Sequence, residues 1–121
     1  MLPDEITTIG LSAFSGCDNL VNVKLPKNLT TIKQSTFYGC QKIISIEIPA
    51  NVTEIDLNAF KNCVGLTEVT FEDESKLTSI KGYYTRSTDL SQGAFTGCSN
   101  LTSIEIPENV KNIGDHVFYN C

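Results

Sequence analysis

The sequence predicts a solenoid: a right-handed coil of 23-residue repeats with a short parallel β-sheet, second short strands and 3₁₀ turns, and little α-helix. Three observations predict it. Cysteines fall at 17, 40, 63, 98 and 121, so three of the four intervals are 23 residues and one is 35. Each cysteine stands three residues after a phenylalanine: Phe14, Phe37, Phe60, Phe95 and Phe118. Leu or Ile followed by proline recurs at Pro3, Pro26, Pro49 and Pro107. Self-similarity at a fixed period of this size is the signature of units that stack because none can bury its own apolar face alone.

Laid end to end, the repeats run 2–24, 25–47, 48–70 and 71–105, with 106–121 a partial fifth, and residues 1–121 read as one domain. The shared pattern is Leu/Ile-Pro-x-x-Val/Ile/Leu-x-x-Ile-x-x-x-Ala-Phe-x-x-Cys-x-x-Leu-x-x-Ile/Val-x. Apart from the proline and Thr36 in the alanine column, every fixed position is apolar or small. One core layer per repeat follows.

Each element has a local reason. Leu20-Val23-Leu25, Ile43-Ile46-Ile48, Leu66-Val69-Phe71 and Leu101-Ile104-Ile106 end in an alternating pair, so each unit should give a short strand. Val23 and Leu25 then face inward, Lys24 faces out, and the strands of successive units pair in parallel. Pro26, Pro49 and Pro107 end the ladder, since proline has no N–H and a fixed φ. A second extended piece, Leu29 to Ile32 and its equivalents, lines the opposite wall. Ala-Phe-x-x-Cys is too short for a helix and predicts a 3₁₀-like turn that aligns the phenylalanines in a spine. The five cysteines occupy one repeat position, so their Cβ vectors run parallel and do not favour bridging. They read as small, reduced core residues, with Cys17 and Cys121 the most open to oxidation.

With its Ile-Pro, Ala-Phe-x-x-Cys and Leu-x-x-Ile elements, the unit resembles the BspA-type (Treponema-type) leucine-rich repeat. The resemblance covers the whole chain except the extra stretch in the fourth unit. It implies a leucine-rich-repeat solenoid from a cell-surface or secreted protein, of a kind implicated in adhesion to host proteins or to other cells. It also implies that partners bind over the exposed sheet face.

The fourth unit breaks the pattern twice. Phe71-Glu72 replaces the Leu/Ile-Pro step with two extra residues before Leu77, and ten more residues, about 82–91, separate Ile80 from Phe95. A solenoid must expel an insertion as a loop, often on a binding face. This one carries Tyr83, Tyr84 and Arg86, residue types enriched at interface hot spots, and Arg86 is the chain's single arginine. On the strands, the outward columns are Asn22, Ser45, Glu68 and Ser103, and beside them Lys24, Glu47, Thr70 and Glu105. Candidate partner-binding residues are therefore Tyr83, Tyr84 and Arg86 with Lys24, Glu47, Glu68, Thr70 and Glu105.

Other chemistries lack their signatures. A net charge of −5 with scattered lysines disfavours a nucleic-acid backbone as partner. No apolar run is long enough for a membrane-spanning helix, so no membrane insertion is expected in this segment. The only histidine, His116, falls at a variable outward position away from the inward thiols, against a Cys–His nucleophile. Cys-x-x-Cys, His-Glu-x-x-His and calcium-loop spacings are missing, so no catalytic residue, metal or cofactor is assigned. Glu72-Asp73-Glu74 reads as a charged turn. Asn28, Asn51 and Asn100 begin N-x-S/T triplets that the repeat itself generates.

The expected function is a non-enzymatic protein-binding scaffold of the adhesion type, its partner a host or extracellular-matrix protein. The alternative is a structural spacer or self-assembling stalk. The chain begins at a Leu-Pro step and ends at Cys121 without polar caps, which predicts a fragment of a larger protein and self-association through uncapped ends or a sheet edge.

Overall fold

The computed structural model describes residues 2–82 and 91–121. Its strands are β1 (Thr31–Ile32), β2 (Ser45–Ile48), β3 (Glu54–Ile55), β4 (Glu68–Phe71), β5 (Ser79–Ile80) and β6 (Asn112–Ile113). They form two parallel sheets, β1-β3-β5-β6 and β2-β4. Parallel pairing of short strands with long crossovers is what a coil produces when each turn lies on the last.

The registers record the repeat and its breaks. Ser45 pairs with Glu68 and Thr31 with Glu54, each 23 residues on. Glu54 pairs with Ser79, an offset of 25 that absorbs the two residues added before Leu77. Ser79 pairs with Asn112, an offset of 33 that absorbs the ten added after Ile80. Both additions leave the stack in register.

Inside, the aromatic spine is continuous. Phe14, Phe37, Phe60, Phe95 and Phe118 stack with centroids 5.5, 5.3, 5.2 and 5.8 Å apart and near-parallel planes. The middle three rings are fully buried and the end ones partly so. Next to them the thiols form a second column. Cys40, Cys63, Cys98 and Cys121 each donate a hydrogen bond to the carbonyl of the phenylalanine one coil back, at 3.1 to 3.2 Å. All five cysteines are free. Thr36, in the alanine column, is buried without penalty because its hydroxyl donates to the Lys33 carbonyl at 2.7 Å.

The Phe-Cys stretch makes the expected 3₁₀-like turns, closed by i→i+3 bonds such as Cys40 N–H to Phe37 O at 3.1 Å, with left-handed residues set between them. The residue before each cysteine has φ between 59° and 78° at Gly16, Gly39, Asn62, Gly97 and Asn120, and glycine and asparagine are the types that tolerate it. A second left-handed column holds Ser12, Ser35, Asn58 and His116. His116 is accordingly a half-buried turn residue, edge-on to Tyr119 at 5.6 Å, not a freely variable outward one.

One expectation about the first sheet is corrected. Of the four expected strands only β2 and β4 pair. Residues 22–25 and 103–106 follow the same inward-outward alternation, yet neither is hydrogen-bonded into the ladder among the described residues. The second extended pieces, expected merely to line the far wall, make the wider sheet.

Candidate functional site

Outward strand positions are all solvent-exposed: Asn22, Ser45, Glu68 and Ser103 in one column, Lys24, Glu47, Thr70 and Glu105 in the other. Alternation places Val69 in the core between Glu68 and Thr70, just as Ile46 lies between Ser45 and Glu47. Tyr83, Tyr84 and Arg86 lie outside the described residues. At the base of their loop Gly82 and Gly93 face each other in an antiparallel bridge, and Ala94 N–H returns to Lys81 O at 3.0 Å. Two glycines thus form a bridged neck on either side of the insertion. A Cβ on Gly82 would strike the backbone of Gly114 and Asp115 in the coil above, so only glycine lets that coil settle.

Three of the strand candidates come together. Glu68, Thr70 and Glu105 line a cleft of about 680 Å³ between β4 and residues 103–109. On the far side the same two coils stay closed, with Ser79 paired to Asn112 and Phe95 stacked on Phe118. The last coil thus opens like a fan, on the β4 side only. Glu47 belongs to the neighbouring strand, and Lys24 sits by a smaller hollow of about 120 Å³ near Leu2 and Phe14.

Sequence reasoning missed the rest of the cleft: Glu72, Glu74, Glu108 and Asn109, with Phe71, Ile104 and Ile106 half-buried in it. Its signal was the broken Leu/Ile-Pro step. With glutamate where proline stands elsewhere, the ladder runs one residue further, Glu72 N–H reaching Ile48 O at 3.0 Å. The Glu72 carboxylate accepts from Ala50 N–H at 3.3 Å, and the turn closes through left-handed Glu74. Asn109 then ties the coils below the opening, its amide donating to Ser75 O at 3.3 Å.

Three lysines are engaged away from the cleft. Lys81 approaches Glu54 at 3.7 Å, Lys61 sits over the Tyr38 ring at 5.6 Å, and Lys76 donates to Asn51 at 3.0 Å. The asparagines of the N-x-S/T triplets are structural. Asn28, Asn51 and Asn100 donate their amides to carbonyls of the preceding coil, at Asp4, Lys27 and Val64.

The burial of the thiols governs their acidity. Desolvation, followed by repulsion from the Cys40 sulfur, pushes Cys63 from an ordinary 9.0 up to about 12, and Cys98 higher still. Desolvation also raises Cys40 and Cys121. Such thiols are poor nucleophiles, since the thiolate is the reactive form.

A family model described as the BspA type leucine-rich repeat region, in six copies, matches residues 1–92 and 85–121. The chain belongs to the BspA-type leucine-rich repeat family. Among solved structures, this BspA-type chain is similar to a leucine-rich repeat protein from Bacteroides ovatus, with 34% identity and a TM-score of 0.61 over 77% of this chain and 21% of that one. It is also similar to a leucine-rich cell surface protein from Faecalibacterium prausnitzii, with 28% identity and a TM-score of 0.68 over 93% of this chain and 24% of that one. The chain spans less than a quarter of the length of either. Among curated proteins none matches. Among the described residues, no helix is long and apolar enough to cross a membrane.

Proposed function

We propose that this segment is a non-enzymatic, adhesion-type protein-binding scaffold belonging to a larger cell-surface or secreted protein, with a host or extracellular-matrix protein as partner. The observation that carries the reading is the division of labour across the repeat. Fixed positions go to the core, and the variable positions Lys24, Glu47, Glu68, Thr70 and Glu105 stand exposed on one face. The similarity to a cell surface protein from Faecalibacterium prausnitzii supports the location. The inward, poorly acidic thiols support a role without nucleophilic chemistry. Residues Tyr83, Tyr84 and Arg86 remain the loop-borne part of the proposed surface.

The alternative, a self-assembling spacer, is favoured by one feature. Ile113 of the edge strand β6 is 46% exposed, and strand edges invite pairing with another copy. Solid-phase binding to matrix proteins and host cells separates the two, run with the whole chain, a variant lacking residues 82–91, and a variant carrying Glu47→Lys and Thr70→Lys. Binding lost in either variant supports the scaffold and locates its surface. Absence of binding in every arm, together with concentration-dependent association in light scattering, leaves the spacer.

A further inference from the structure

Resting on the scaffold reading, we propose that the cleft between β4 and residues 103–106 takes a cationic, extended peptide segment of a partner protein as an added β-strand.

The backbone is set up for it. Glu68 and Glu72 turn their N–H groups toward β2, to Ile44 O and Ile48 O. In a parallel ladder alternate residues face opposite neighbours. The N–H and C=O groups of Val69 and Phe71 therefore point the other way, into the cleft. Across it, the N–H groups of Thr102 to Ile106 have no hydrogen-bond partner among the described residues. These are two backbone edges without direct pairing, on either side of the cleft. Open edges recruit extended peptides through main-chain hydrogen bonds, and side-chain pockets supply the selectivity. The cleft's 680 Å³ falls within the range of ligand-holding clefts.

Side chains specify the occupant. Val69, Phe71, Ile104 and Ile106 offer apolar contact for alternate residues of an inserted strand. Glu68, Glu72, Glu74, Glu105 and Glu108 line the same cleft, and among the described residues no lysine or arginine does. An alternating lysine and valine segment matches both the strand period and the charge. A second copy of this chain matches poorly, because it brings a net charge of −5 to a carboxylate-lined cleft. A bare metal ion has no cage there, since no three metal-ligating side chains converge among the described residues.

The probe is a capped peptide of about nine residues, a strand's length, alternating lysine and valine. It is titrated into the whole chain and followed by fluorescence anisotropy and by amide hydrogen exchange. Binding is expected to weaken with salt, and to fall about tenfold when alternate peptide amides are N-methylated, which removes main-chain donors but keeps the charge. Exchange at Val69, Phe71, Ser103 and Glu105 is expected to slow, these being the amides that alternation turns toward the cleft. The double variant Glu68→Lys, Glu105→Lys, changed only at exposed positions, is expected to lose binding and keep its fold. Equal affinity for the N-methylated peptide, or unchanged exchange at these amides, overturns the proposal and leaves charge adhesion. No binding, or a cleft already closed by direct pairing of residues 103–106 with β4, also overturns it. Matrix-protein binding that survives the double variant sinks the cleft proposal alone, whereas its absence from the unaltered chain sinks the scaffold reading.

Discussion

The thiol of Cys63 donates to the carbonyl oxygen of Phe37 at 3.1 Å, from one coil to the one before. This bond gives a second donor to a carbonyl that already accepts the Cys40 N–H within its own turn, and it recurs at Cys40, Cys98 and Cys121. A side chain of this size does two jobs, filling the layer and capping the layer below.

Thiol burial is expected to make the fold less stable at alkaline pH. In the folded chain Cys63 is raised from 9.0 to about 12, and Cys98 is raised as well. A group with a higher pKa when folded contributes stability that is complete below its unfolded value and is lost as pH rises toward its folded value. Stability to urea is therefore expected to hold up to about pH 9 and to decline between about 9 and 12. Cys63→Ala is expected to reduce that alkaline decline while lowering stability at neutral pH by about 1–2 kcal/mol, from the lost bond and the lost volume. Denaturation at a series of pH values checks both.

Phe60 is stacked between Phe37 and Phe95 and wholly buried, while Phe118 has one ring neighbour and is partly buried. Phe60→Ala should cost about 3–5 kcal/mol and Phe118→Ala clearly less. Equal losses in equilibrium unfolding would contradict a spine whose strength lies in the middle.

The glycine neck gives a sharper contrast. Gly10→Ala meets open space, whereas Gly82→Ala drives a methyl into the backbone of Gly114 and Asp115. Gly10→Ala is expected to change stability by less than about 0.5 kcal/mol. Gly82→Ala is expected to detach the last coil, raising amide exchange at Asn112 and Gly114, which are bonded to Thr78 and Ile80.

Asn51 joins two coils, donating to Lys27 O at 3.2 Å and accepting from Lys76 at 3.0 Å. Asn51→Ala is expected to cost about 1 kcal/mol. An equal effect from substituting exposed Ser45, which has no such bond, would show that the amide column is incidental.

Much of the molecule was legible in the residues themselves. The 23-residue period, the Phe and Cys columns and the inward residues of every strand follow from side chains repeated at fixed local spacing, because each layer must fill the same volume. The left-handed turn has a sequence signal too, in the glycine or asparagine before every cysteine. Pairing was not legible. Whether residues 103–106 lie on β4 depends on how one whole coil settles on the next, which no local spacing records, and residues 22–25 have the same pattern and are likewise unpaired among the described residues. Sequence alone determined what is buried and at what period, since burial is a property of single columns. Only the tertiary structure decided that a carboxylate-lined cleft opens beside β4, since strand pairing is set by how whole coils meet and not by single columns.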